Sequence, residues 1–191
     1  MENRVILIMG AKHSGKDLCA RALSEIVGGE TVDLDELLER QTGKTPRELF
    51  IEGHDFFKKV EVCSLASVIH GYLPQTQTKR GNLIIIAGGG IIDNDEAMAL
   101  ISEARVPSAD RQLIAVYLEI SAETEWQHIL ETSGDGELPP LINTNNPKET
   151  HLALHNRRAK AYKAVAGITV FAENKSPEEI AGEIAKQLSK L

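Results

Sequence analysis

Basic side chains are in deficit. The 191 residues carry 21 Lys and Arg against 28 Asp and Glu, a formal net charge of -7. No cationic excess exists to neutralise a nucleic-acid backbone, which excludes general nucleic-acid binding and requires any anionic ligand to meet a local cluster of cations. Cysteine is scarce too. Cys19 and Cys63 both fall in helical patterns rather than in a spaced framework, as expected of a reduced, cytoplasmic protein without structural disulfides. No run of about 18 apolar residues occurs, so no membrane span is expected. The opening MENRVILIMG enters an apolar strand directly, so no signal peptide is expected either. Internal repeats and low-complexity tracts are missing. Of the six histidines, His151 and His155 alone share a four-residue helical spacing. With no third ligand nearby in sequence, they read as surface residues rather than as a zinc pair.

What is present is an alternation. The composition, 42% hydrophobic and 26% charged, is that of a globular chain, long enough for one domain (1–191) with a proper core. Apolar runs at Val5–Met9, Leu83–Ala87, Leu113–Ile120 and Ile168–Phe171 predict strands, and Thr31–Asp33 reads as a short strand end. Between them, period-3.6 patterns predict helices over Leu18–Val27, Glu36–Gln41, Pro46–Ile51, Asp55–Leu73, Asp95–Glu103, Glu123–Glu131 and Glu149–Val165. Ser176-Pro177-Glu178-Glu179 opens a last helix with an N-cap, a proline at the first position and acids at the positive end of the dipole. Strands separated by helices imply a parallel sheet covered on both faces, with ligands at the carboxyl ends of its strands. The residues just after Met9, Val32, Ala87 and Ile120 are therefore the ones to question.

After Met9 comes GAKHSGKD, Gly10 to Asp17. It fits the phosphate-loop pattern G-x-x-x-x-G-K-[ST] except at its last position. A glycine-rich turn lets the backbone N–H groups of Gly10, Ala11, Lys12, His13, Ser14 and Gly15 face one anion, and the following helix adds its positive end. Lys16 would reach the β- and γ-phosphates of a nucleotide. Asp17 replaces the expected hydroxyl. A carboxylate is a hard oxygen ligand for magnesium, and it is equally an acid stabilised in a helix first turn. The second strand leads into DLDELLE. Asp33 with Glu36 resembles a capping box. Beside a phosphate loop, Asp33 and Asp35 also suit magnesium binding through water and the orientation or deprotonation of a hydroxyl nucleophile. Three glycines, Gly88, Gly89 and Gly90, follow the buried LIIIA strand and favour close approach of a ligand.

The order GAKHSGK, DLD, TGKTPRELFIEGHDFFKKVE, AGGG, LPPLI and RRAKAY resembles the shikimate kinase family of P-loop, nucleoside-monophosphate-kinase-like enzymes, nearly end to end from Val5 to Leu188. The resemblance implies a three-layer α/β/α sandwich around a five-stranded parallel sheet of order 2-3-1-4-5. It also implies a substrate-binding region over about 35–72 and a lid over about 133–147. It implies ATP-dependent phosphorylation of the 3-hydroxyl of shikimate in aromatic amino acid (chorismate) biosynthesis, with Mg2+, by a monomer. Asp35 would contact the substrate hydroxyls and serve as base or orienter for the attacking one, Asp33 would stand behind the metal, Asp17 would take the place of the metal-binding hydroxyl, and Gly88–Gly90 would let the backbone approach. Lys58, in register with Val62 and Leu65, and Arg158, on the stripe of Leu154 and Tyr162, would hold the substrate carboxylate. Glu61 would orient Lys58, and Pro177 would wall the adenine.

Besides Asp17, three departures stand out. Lys58 takes the place of an arginine and cannot form a bidentate fork. Gln127 or His128 replaces an arginine on the adenine side. Pro139 stands where the family's lid carries an arginine, and Lys148 is the only Lys or Arg between Ile129 and Thr150. A lid cation contributes to the transition state of phosphoryl transfer, so Lys148, or Lys16 with magnesium, would have to serve. Asp17 has a parallel in animal-type phosphomevalonate kinases, which read S-G-K-D there. Two alternatives stay open: a P-loop kinase for another small hydroxy acid, and a catalytically weak binding protein of the same family.

Overall fold

In the computed structural model, residues 4–72, 81–105, 113–133 and 138–191 are described. Five strands form a sheet, all pairings being parallel: β1 (Val5–Gly10), β2 (Gly29–Asp33), β3 (Asn82–Ile86), β4 (Leu113–Glu119) and β5 (Ile168–Phe171). Their order is β2-β3-β1-β4-β5, the one implied by the family resemblance. Eight α-helices connect and cover them among the described residues: α1 (Lys16–Val27), α2 (Leu34–Thr42), α3 (Pro46–Glu52), α4 (His54–Tyr72), α5 (Asp95–Ala104), α6 (Ala122–Thr132), α7 (Pro147–Val165) and α8 (Pro177–Leu188).

Side chains alternate across a strand; the inner strands β1, β3 and β4 are buried on both faces and are apolar over most of their length, whereas the edge strands β2 and β5 are partly exposed. Ile6, Ile8, Ile84, Val116 and Leu118 pack against Cys19 and Leu23 of α1 and Ile180 and Ile184 of α8. Val5, Leu7, Met9, Ile85 and Tyr117 face the other way, onto Leu65 and Ile69 of α4, Ile101 of α5 and Tyr162 of α7. The rings of Tyr117 and Tyr162 stack with centroids 5.0 Å apart. A third, small cluster joins Trp126 and Ile129 of α6 to Ile142.

Element ends differ from the sequence reading by a residue or two for local reasons. Helix α2 starts at Leu34 because the Asp33 side chain caps it. The α3 start is fixed by a full capping box between Thr45 and Glu48. Strand β2 extends back to Gly29, whose ladder position brings it against Asn82; a Cβ there would lie 2.0 Å from the Asn82 carbonyl oxygen. Within the expected lid, Pro140–Ile142 forms a 3-10 turn and α7 begins at Pro147. Residues 134–137 of that lid, and Leu73 at the expected end of α4, lie outside the described residues. Helix α8 ends at Leu188, leaving Leu191 exposed beyond it.

Candidate active site

A cleft of about 420 Å3 opens at the carboxyl edge of the sheet. The phosphate loop, Asp33 and Asp35, the glycine run, α6, α7 and Pro139 line it. Lys12, His13, Gly15, Lys16 and Asp17 of the loop face the space. Gly10 and Ser14 lie beneath. A Cβ on Gly10 would sit 2.7 Å from the Leu118 carbonyl oxygen, so the turn closes only without one. Gly15 adopts φ 82, the left-handed conformation that suits glycine. Ser14 Oγ is buried and lacks a hydrogen-bond partner among the described residues. Lys16 is 9% exposed. Its Nζ donates to the carbonyls of Ala11 at 2.8 Å and Gly10 at 3.2 Å, and burial lowers its pKa against the pull of Asp17 and Asp35. A buried ammonium poised over a loop with an unpartnered hydroxyl fits a polyphosphate.

Asp33 Oδ1 accepts from the backbone N–H groups of Asp35 at 2.8 Å and Glu36 at 3.2 Å. The capping role is therefore real, and it coexists with a place in the cleft. Burial, then the neighbouring Asp33 charge, raises the pKa of Asp17. The same two causes push Asp35 up to about 6. Solvent reaches Asp35 through the mouth of the cleft, while protein surrounds it on the other sides. Three carboxylates facing one space form a hard oxygen set that suits Mg2+.

The three glycines prove to be spacers for the protein's own groups. A Cβ on Gly88 would meet Asp35 Oδ1 at 2.8 Å, one on Gly89 the Lys12 backbone nitrogen at 3.0 Å, and one on Gly90 Arg158 Nη2 at 3.3 Å. Without side chains there, the Asp35 carboxylate, the phosphate loop and the Arg158 guanidinium converge on one strand end.

Arg158 does face the cleft, but its buried partner is within the chain. Nε and Nη2 donate to Asp93 Oδ2 at 2.9 and 2.8 Å, and Arg157, expected on a polar face, pairs with Asp93 Oδ1 at 2.8 Å. Burial alone would raise the Asp93 pKa; the two guanidiniums, Arg158 foremost, hold it below its usual value. Asp93 escaped sequence reasoning, although a carboxylate three residues past a glycine-rich strand end was a signal. Lys58 is half-buried and lines an adjoining cavity of about 110 Å3 with Phe57, Glu61 and Arg158 rather than the main cleft. Glu61 is 4% exposed. It accepts from Asn94 Nδ2 at 2.8 Å, and burial pushes its pKa up to about 7. Pro177 sits in the first turn of α8 and is not among the residues lining the cleft. Where an adenine-facing side was expected, His128 Nδ1 meets the His13 carbonyl at 3.2 Å, Gln127 donates to Glu123, and the Ser121 N–H donates to Glu173 at 2.6 Å.

The side where the lid was expected brings one correction. Lys148 is exposed and paired with Glu123 at 3.0 Å, away from the residues lining the cleft. A cavity of about 240 Å3 beside Pro139 is lined instead by Lys12, His13 and Arg47. His151 and His155 are not surface residues. The α6–α7 packing buries them against Glu125, whose Oε2 lies 2.6 Å from His155 Nδ1 and 3.2 Å from His151 Nε2. The third group was hidden because Glu125 reads as an ordinary first-turn acid of α6. Its burial would raise its pKa; the His155 hydrogen bond and the two imidazoles hold it below the usual value.

A family model described as shikimate kinase matches residues 9–189. A curated shikimate kinase of Thermobifida fusca is 30% identical over 183 residues, covering 95% of this chain and 93% of the relative. That of Vibrio campbellii is 29% identical over 188 residues, covering 98% and 97%. Among solved structures, the shikimate kinase from Acinetobacter baumannii in complex with shikimate superposes with a TM-score of 0.76 at 23% identity, covering 100% of this chain and 94% of that one. That of Aquifex aeolicus gives 0.69 at 24% identity, covering 97% and 96%. At these identities the structural likeness establishes the fold.

Proposed function

The chain belongs to the shikimate kinase family, and from that premise we propose that it transfers the γ-phosphoryl group of ATP to the 3-hydroxyl of shikimate, as a step of chorismate-directed biosynthesis. The observation that carries this reading is the meeting of phosphate loop, Asp35, glycine run and Arg158 in one cleft.

Lys16 exchanges its two loop carbonyls for phosphate oxygens, and the loop N–H groups complete the cradle. Asp35, once ionised, accepts the hydrogen bond of the attacking hydroxyl and orients it. Asp93 holds two of Arg158's donors, fixing the guanidinium so that its remaining N–H groups face the substrate carboxylate. Lys58 adds positive charge from the adjoining cavity. Asp17 and Asp33 supply oxygen donors for Mg2+, which when bound neutralises phosphate charge. Lys12 and Arg47 bring cations to the side where Pro139 brings none.

The test is ADP release coupled to shikimate. Turnover that requires both shikimate and Mg2+ is expected, and no turnover above the shikimate-free background would overturn the reading. One observation favours a second reading, phosphorylation of another small hydroxy acid. Arg158 is already matched to Asp93, and the neighbouring cation is a lysine. A panel of hydroxy acids in the same assay separates the two.

A further inference from the structure

We propose that Glu125, His151 and His155 bind a divalent transition-metal ion of the zinc class in the wall of the cleft. The three potential ligand atoms, Glu125 Oε2, His151 Nε2 and His155 Nδ1, all lie within 4.8 Å of one another. Residues four apart on a helix share one face, so α7 presents both imidazoles to α6, which supplies the carboxylate. All three side chains are at least nine-tenths buried. His151 Nε2 is close to Glu125 yet lacks a hydrogen bond of acceptable geometry. An unsatisfied buried nitrogen is costly, and a metal ion would satisfy it.

The donor set selects the ion. Two imidazoles and one carboxylate suit zinc or its neighbours and suit magnesium or calcium poorly. Ligands at about 2.0–2.1 Å from a tetrahedral ion stand about 3.3 Å apart. The Glu125–His151 separation of 3.2 Å already fits, and the Glu125–His155 contact of 2.6 Å must open by less than about 1 Å. Glu125 and His155 also line a cavity of about 10 Å3 against Tyr117 and Tyr162, and Glu125 and His151 line the main cleft. Three protein ligands leave a fourth position for water or a bound oxygen, the arrangement of zinc sites that stay open. The ion would staple α6 to α7 across the segment that joins them. It would also turn a wall of charge -1 into one of +1, beside a loop built for phosphates.

The experiment uses the untagged chain, stripped with a chelator, given Zn2+ or Co2+ without nucleotide and then desalted. One retained equivalent is expected, with the visible absorption of four-coordinate Co2+ and a higher Tm with Zn2+. His155→Ala should weaken binding by at least about 100-fold, the upper range for losing a mere outer partner. Asp17→Asn should leave it intact, which separates this site from the carboxylates under the phosphate loop. Failure of the parent chain to retain either metal, or retention unchanged in both His155→Ala and Glu125→Gln, would overturn the proposal. The parent stoichiometry decides the matter even where a variant fails to fold.

Discussion

Two positions show how the cleft sets the behaviour of single groups. Glu61 holds its proton up to about pH 7 in the folded chain, against 4.5 for an ordinary glutamate, because burial outweighs the Asn94 hydrogen bond and the charge of Lys58. Between those values the folded state binds more protons than the unfolded one, so this group makes stability fall as pH rises. Glu61→Gln keeps an acceptor for Asn94 and removes the charge. Urea melts should show the variant more stable than the parent at pH 8, by a few kcal/mol at most, with the gap closing toward pH 5. A gap independent of pH would contradict the assignment. Gly88 gives a second case. Alanine there would press on the free end of Asp35, which can swing aside at little cost in stability. Displacing an orienting group by about 1 Å costs about 100-fold in rate. Gly88→Ala should therefore lose activity on that scale with Tm nearly unchanged. Both are read on one preparation, by steady-state kinetics and a thermal melt.

At the scale of elements, the ends of helices carry the information. Sequence showed most of them because caps are local chemistry: Ser176 and Glu179 form a complete capping box on α8, with the Ser176 N–H donating to Glu179 at 2.7 Å. Ser176→Ala should cost about 1 kcal/mol, a fall in Tm of about 2–4 °C for a chain of this size. The phosphate loop, the two aspartates and the glycine run were legible for the same reason, each being a contiguous motif at a strand end. Contacts between elements were not. Asp93 takes up Arg158 and Arg157 from a helix more than sixty residues on, and Glu125 meets His151 and His155 across the α6–α7 seam. No periodicity within one segment reveals which charges a neighbouring helix will offer.

For the molecule as a whole, charge is the constraint. Acids outnumber cations in the chain, whose net charge is -7, and also at the cleft, where Asp17, Asp33, Asp35 and Glu125 stand with Lys12, Lys16 and Arg158. A free polyphosphate should bind poorly there, and its magnesium complex well. Saturation to about 100 times Kd stabilises by about 2.7 kcal/mol, or about 5–10 °C in Tm. ATP with Mg2+ should approach that shift and ATP with EDTA should show little. Equal shifts would mean that the acids do not govern binding. The sheet order and both cores were foreseeable from alternation and resemblance, whereas the cavity beside Pro139 depends on α3 bringing Arg47 beside Lys12 and His13 of the loop. Cys19 lies on the buried face of α1, three residues past Lys16, with its thiol pushed up to about 12 by burial, while Cys63 is exposed. The chain thus carries an internal clock on its nucleotide loop. A thiol reagent should modify Cys63 at once and Cys19 only when α1 detaches from the sheet, and bound nucleotide should lengthen that second interval.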